Sequence, residues 1–164
     1  MKVTLNPGEM AIAQTMAAMR RGVNQASKIT DQRRDNTMDA NTLDLLGAVS
    51  EIAFCKAFST YPDFSVMPRK GGADAILKHD GTITRWDIKA TKRTGGRLLA
   101  TTGKSANDVD YYALAVVQEN VVDFVGYASA AELLSEETII DLGHGPTHAL
   151  TQDKLRRFKT KVEA

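Results

Sequence analysis

The chain has a single cysteine, Cys55, in 164 residues. That excludes an intramolecular disulfide and any cysteine-rich zinc site. A chain of this length buries one sizeable core without either device. No apolar run approaches the length of a membrane span. The opening Met1-Lys2-Val3-Thr4-Leu5-Asn6-Pro7 lacks the apolar stretch of a secretory signal, so the expected location is cytoplasmic. Internal repeats and low-complexity tracts are absent as well. Neither sign of charge prevails: 21 Lys and Arg face 20 Asp and Glu, for a net charge of +1. That balance neither demands nor forbids a nucleic-acid partner. Hydrophobic content of 43% and charged content of 25% read as one ordinary globular domain over 1–164.

The positive charges that are present come in clusters. Arg20-Arg21, Arg33-Arg34, Arg69-Lys70 and the tail from Lys154 to Lys161 each read as solvated surface. The run Lys89, Lys92, Arg93, Arg97 and Lys104 differs, because it directly follows the strand that carries the most informative acids.

The element pattern starts with a helical extension over 1–38. Asn6 is a candidate N-cap, Pro7 suits the first helical position, and Glu9 lies three residues on. Met10, Ala13, Met16 and Ala17 form an apolar stripe that fades near Asn24. The polar stretch 27–39 reads as a connector. A core follows over 41–135. Leu43, Leu46, Val49, Ile52, Ala53 and Phe54 recur at helical spacing over 41–58, with Glu51 close to their apolar face. From Phe64 the period becomes two, giving strands over 64–68, 73–78 and 82–90. Residues 91–110 read as a loop. The apolar run 111–117 predicts a buried central strand, and 121–127 a further strand. Ser129 with Glu132 forms a capping box for a short helix. The tail 151–164 predicts an amphipathic helix with Leu155, Phe158 and Val162 inward.

The chemistry concentrates at Asp80-Gly81, a strong two-residue hairpin signal. Such a turn pairs His79 with Thr82, and in the same register it sets Asp74 opposite Asp87. Opposed side chains in an antiparallel pair are roughly 5 Å apart. Two carboxylates at that distance repel, and a divalent cation turns the repulsion into coordination. Lys89, two residues past Asp87, projects from the same face. An isolated Asp-x-Lys carries little weight. Its combination with a register-matched acid and the preceding Glu51 helix carries more.

The order of Glu51 on a helix, then Gly71-Gly72-Ala73-Asp74, then Trp86-Asp87-Ile88-Lys89, with the apolar strand 111–117 downstream, resembles the PD-(D/E)XK nuclease superfamily. The resemblance implies an α/β fold with a restriction-endonuclease-like core: a mixed, mainly antiparallel central sheet flanked by helices, here with an extra N-terminal helix. It implies that Asp74, Asp87, the Ile88 backbone carbonyl and Glu51 hold Mg²⁺, for which Mn²⁺ substitutes. It also implies that Lys89 positions or activates the attacking water in hydrolysis of DNA. Lys92, Arg93, Arg97 and Lys104 would contact neighbouring phosphates. Ala73 stands where the family name has proline, and the helix usual between the third and fourth core strands has no counterpart in 91–110.

The rivals are a nuclease-like module that binds nucleic acid without cutting it, an RNA-directed nuclease, and a structural or interaction protein whose acids are surface decoration. No aromatic stacking platform supports the RNA-directed nuclease. A homodimer or a larger complex stays open. His144 and His148 have a ligand-like spacing, but Gly143, Gly145 and Pro146 argue against a helix presenting both. Cys55 reads as core packing, and Trp86 as facing the core.

Overall fold

Asn6 opens the first helix as its spacing requires. In a computed structural model, which describes residues 1–27, 38–66 and 72–159, the Asn6 side chain accepts from the Glu9 amide, and the Glu9 carboxylate accepts from the Asn6 amide. This capping box satisfies two of the otherwise orphaned helix-end donors. The helix, α1, runs Pro7–Ala26 and buries Ala13, Met16 and Ala17. Ahead of it a short strand β1, Lys2–Thr4, adds to a sheet edge. Asp39 caps the second helix, α2, Ala40–Ala57, which buries most of its middle turns.

The hairpin forms with the register its turn dictates. Strand β2 (Ala75–His79) pairs antiparallel with β3 (Thr82–Thr91), His79 opposite Thr82 and Ala75 opposite Trp86. Asp80 and Gly81 both have positive φ, 47° and 78°, as the tight mirror-image turn needs. β3 then pairs in parallel with β5 (Tyr111–Gln118), which pairs antiparallel with β6 (Val121–Ser129). The central sheet has the order β1-β6-β5-β3-β2. It is mixed, with one parallel pairing, and the chain is an α/β protein.

β5 is buried on both faces because the sheet is covered on both sides. On one side α1 and α2 pack Met16, Val49, Ile52 and Phe54 against Trp86, Ile88 and Phe124. The indole of Trp86 stacks on Tyr111 at 4.7 Å between ring centres and tilts against Phe54 at 5.3 Å. The second face is not flanked by long helices. A three-stranded sheet covers it, formed by β4 (Leu98–Thr101), β7 (Ile139–Asp141) and β8 (Pro146–Leu150) in the order β4-β8-β7, together with the four-residue helix α3 (Ala130–Leu133). Leu98, Ala100, Tyr112, Leu114, Leu133 and Leu150 fill this second core.

Three sequence expectations are corrected. Phe64–Val66 is not a strand, and the rest of that segment lies outside the described residues, as do most of the connector over 28–37 and Gly71. The stretch 91–110 contains β4, whose Leu98 and Ala100 alternate inward against the second core. Four residues give too short a period-two signal to stand out among threonines and glycines. The tail is not a helix where it is described: one 3-10 turn at Gln152–Lys154 leads into extended chain. Leu155 is nevertheless buried, and Phe158 packs on Tyr127 at 4.9 Å.

The reason for the extended tail sits across from it. Arg156 exchanges two backbone hydrogen bonds of 2.9 Å with Tyr127, so the tail lies flat on β6 beside Gly126. A Cβ at Gly126 would stand 2.6 Å from Leu155 Cβ and 2.8 Å from the Arg156 carbonyl oxygen. Gly126→Ala is therefore expected to lift the tail and destabilise the protein by about 1–3 kcal/mol, read as a lower urea midpoint. An unchanged midpoint would refute this account of the close approach.

Candidate active site

β3 is twice as long as β2, so the hairpin ladder stops at Ala75–Trp86 while β3 continues. Asp74 is the residue where the two part. Its amide still donates to the Trp86 carbonyl at 2.8 Å. Its side chain turns inward, and Oδ2 accepts the Ile88 amide at 2.8 Å. A carboxylate thus replaces the missing strand partner. Asp74 is not in the ladder itself, but it remains beside Asp87. Along a strand, the N–H and C=O of one residue point to the same edge. The Ile88 carbonyl therefore faces this edge as well.

Asp87 is 3% exposed, an unusual degree of burial for an aspartate. Lys89 Nζ lies 2.6 Å from its Oδ1 and Lys104 Nζ lies 3.2 Å from its Oδ2. The Lys104 contact is a hydrogen bond, whereas Oδ1 has no hydrogen-bond partner. The Lys89 contact is an ion pair. Below them Tyr112, the neighbour of Asp87 on β5, offers its ring 5.9 Å from Lys89 Nζ. Its buried hydroxyl also has no hydrogen-bond partner, and burial with the Asp87 charge pushes its pKa up.

Glu51 reaches the same region from α2. Its Oε2 accepts from Arg20 Nη1 at 2.7 Å, and the pair is mostly shielded, at 18% and 12% side-chain exposure. Arg20 also donates from Nη2 to the Asp63 carbonyl at 2.7 Å. The acids feel one another. Burial first, then the Glu51 and Asp87 charges, raise the Asp74 carboxyl pKa to about 7. The hydrogen bond from Ile88 only partly offsets that rise.

Among the described residues, no three His, Cys, Asp or Glu side chains are grouped to hold a metal ion. Glu51 is turned to Arg20 instead. Mg²⁺ does not require such a cage, since it commonly takes one or two carboxylates and completes its shell with water and substrate phosphate. The two neighbouring carboxylates Asp87 and Asp74 are the oxygen donors such binding uses, with the Lys89 and Lys104 ammonium groups on Asp87 having to give way to the ion. Comparison with protein-family models, with curated proteins and with solved structures finds no match to this chain. The reading of the site therefore rests on its own geometry.

Lys92 and Arg93 are exposed in the turn after β3, beside the acids in sequence. Arg97 is exposed just before β4, on a groove of about 480 Å³ with Glu137, Thr138, Thr151 and Lys154. That groove contains none of Glu51, Asp74, Asp87 or Lys89. The acids lie instead where the β2–β3 ladder ends. Lys104, grouped with the phosphate contacts from sequence, is at Asp87. His148 is buried, its Nδ1 2.9 Å from Thr138 Oγ1 and 3.1 Å from the Ser135 carbonyl, so it ties β8 to the preceding turn. His144 is exposed in the turn between β7 and β8. Cys55 is buried, and its thiol is pushed up to about 12 by desolvation and by Glu51.

Sequence reasoning missed Arg20 and Tyr112 as site residues. A signal for Arg20 existed: with Ala13, Met16 and Ala17 it shares the inward face of α1, at helical spacing. A basic residue continuing an apolar stripe needs a buried partner. Tyr112 looked like plain core in a continuous apolar strand.

Proposed function

We propose that this chain is a divalent-cation-dependent nuclease that hydrolyses DNA phosphodiester bonds, on a restriction-endonuclease-like core of the PD-(D/E)XK kind. The observation that carries the reading is the pairing of buried Asp87 with half-buried Asp74 where the hairpin ladder ends, with Lys89 against Asp87. Surface decoration accounts for it poorly, because withdrawing two neighbouring acids from water costs stability even where lysines and a backbone amide partly offset their charge.

Asp74 and Asp87 would hold Mg²⁺, or Mn²⁺ in its place, together with the Ile88 carbonyl. Glu51 would join after exchanging Arg20 for the cation or for a bridging water. When bound, the cation supplies Lewis-acid polarisation of the phosphodiester and activation of water at neutral pH. The chain's own residues do the rest. Lys89 holds the attacking water in line and offsets negative charge growing on the phosphoryl oxygens. Lys92 and Arg93 grip flanking phosphates, and Arg97 reaches a more distant one, fixing register without reading sequence.

The test is incubation with duplex, single-stranded and branched DNA and with RNA, each with Mg²⁺, with Mn²⁺ and with chelator. Cleavage of at least one DNA that requires the cation is the expected result. Tight DNA binding with no cleavage under any condition would replace the enzyme by a binding module. Cleavage confined to RNA would change the substrate class.

A further inference from the structure

Asp87 carries more positive charge than it needs. One buried carboxylate touches two ammonium groups, Lys89 at 2.6 Å and Lys104 at 3.2 Å. Lys89 follows from its position on β3. Lys104 does not. It arrives from the segment after β4, the strand that belongs to the second sheet. Its backbone is fixed on both sides. The Lys104 amide donates to the Thr101 carbonyl at 3.1 Å, and Ser105 and Asp108 close the next turn with two 3.1 Å hydrogen bonds. The side chain remains 26% exposed. A long, flexible stem on an anchored base can move its charged head without moving the fold.

We infer that Lys104 is a second active-site lysine, which neutralises Asp87 until a divalent cation takes that carboxylate and then serves the phosphate of the substrate. The inference rests on the proposed role of Asp87 as a cation ligand. Its physical basis is competition. A cation entering beside Asp87 meets the like charge of Lys104 a few ångströms away, in a site partly shielded from solvent, where such repulsion is strong. Arrival of a phosphodiester supplies the displaced ammonium with a new counter-ion. Cation and nucleic acid therefore bind cooperatively: each lowers the cost of the other.

The test is titration of the full chain, without DNA, by Mn²⁺ followed through its paramagnetic resonance signal, with Mg²⁺ measured by competition. Lys104→Ala is expected to bind either cation about 10-fold tighter, because the competing charge is gone. Lys104→Gln keeps a hydrogen-bond donor for Asp87 and loses only the charge, and it should tighten binding likewise. Both variants should cleave DNA at least about 10-fold more slowly at saturating cation, as expected for a lost phosphate contact. A lysine that merely braced Asp87 would have the opposite signature, namely weaker cation binding on removal. Unchanged or weaker affinity in both variants overturns the inference, even if the parent cleaves DNA. Tighter binding in the variants of a parent that cuts no nucleic acid upholds the displacement of Lys104 and rejects the nuclease. A parent that binds neither cation overturns both.

Discussion

Asp87→Ala and Lys89→Ala are each expected to lower cation-dependent DNA cleavage by at least about 10³-fold, with the fold retained. Asp87 would be both a ligand and the anchor of two lysines, so nothing at the end of the ladder replaces it. Lys89 would be the only lysine whose strand position keeps it beside Asp87 while the cation is bound. The fold should survive, because Lys89 and Lys104 are 33% and 26% exposed and can turn to water once Asp87 is gone. Asp87→Asn provides a variant of equal volume. The measurement is single-turnover cleavage with Mg²⁺, alongside circular dichroism and thermal unfolding in chelator. Parent-like cleavage by either alanine variant would discard the site.

The second large effect concerns stability and pH. Desolvation, with Glu51 and Asp87 nearby, raises the Asp74 carboxyl from its ordinary value of 3.8 to about 7. The folded chain thus holds a proton that the unfolded chain has already lost. Between about pH 4 and pH 7 the native state binds more protons, so the Asp74 contribution to stability is present at low pH and drains away as pH rises. The slope is at most about 1.4 kcal/mol per pH unit. The carboxylates held low by hydrogen bonds, Glu9, Asp110 and Glu132 among them, act in the opposite direction below their ordinary range and do not mask this window. Asp74→Asn keeps an acceptor for the Ile88 amide and cannot ionise. In chelator at pH 8 it should melt higher than the parent, by on the order of 5 °C. Mg²⁺ should raise the melting temperature of the parent and leave the variant unmoved. A variant less stable than the parent in chelator at pH 8 would show that Asp74 is not a strained charge.

The degree to which this molecule was legible from its residues differs from place to place. The hairpin was legible because a two-residue turn leaves one register, and Asp80-Gly81 has the positive φ values only that turn needs. The helix starts were legible because capping is a local hydrogen-bond exchange among four residues. β5 was legible because a strand buried on both faces must be apolar throughout. The β4-β8-β7 sheet was not, since its strands are short and its partners are distant in sequence. The tail misled because Leu155 and Phe158 have helical spacing, yet the same residues serve an extended chain pressed against Gly126.

The same division holds within the site. Sequence by itself set Asp87 and Lys89 on one face of β3 and brought Asp74 near them, because pleat and turn geometry act over a few residues. Only the tertiary structure decided that Asp74 leaves the ladder to cap Ile88, that Arg20 from α1 takes Glu51, and that Lys104 crosses from the second sheet to Asp87. The last two are charge pairings between elements that only the folded chain brings together. A buried carboxylate accepts whichever cation the packing of the layers brings within reach, and no local pattern records which one that is.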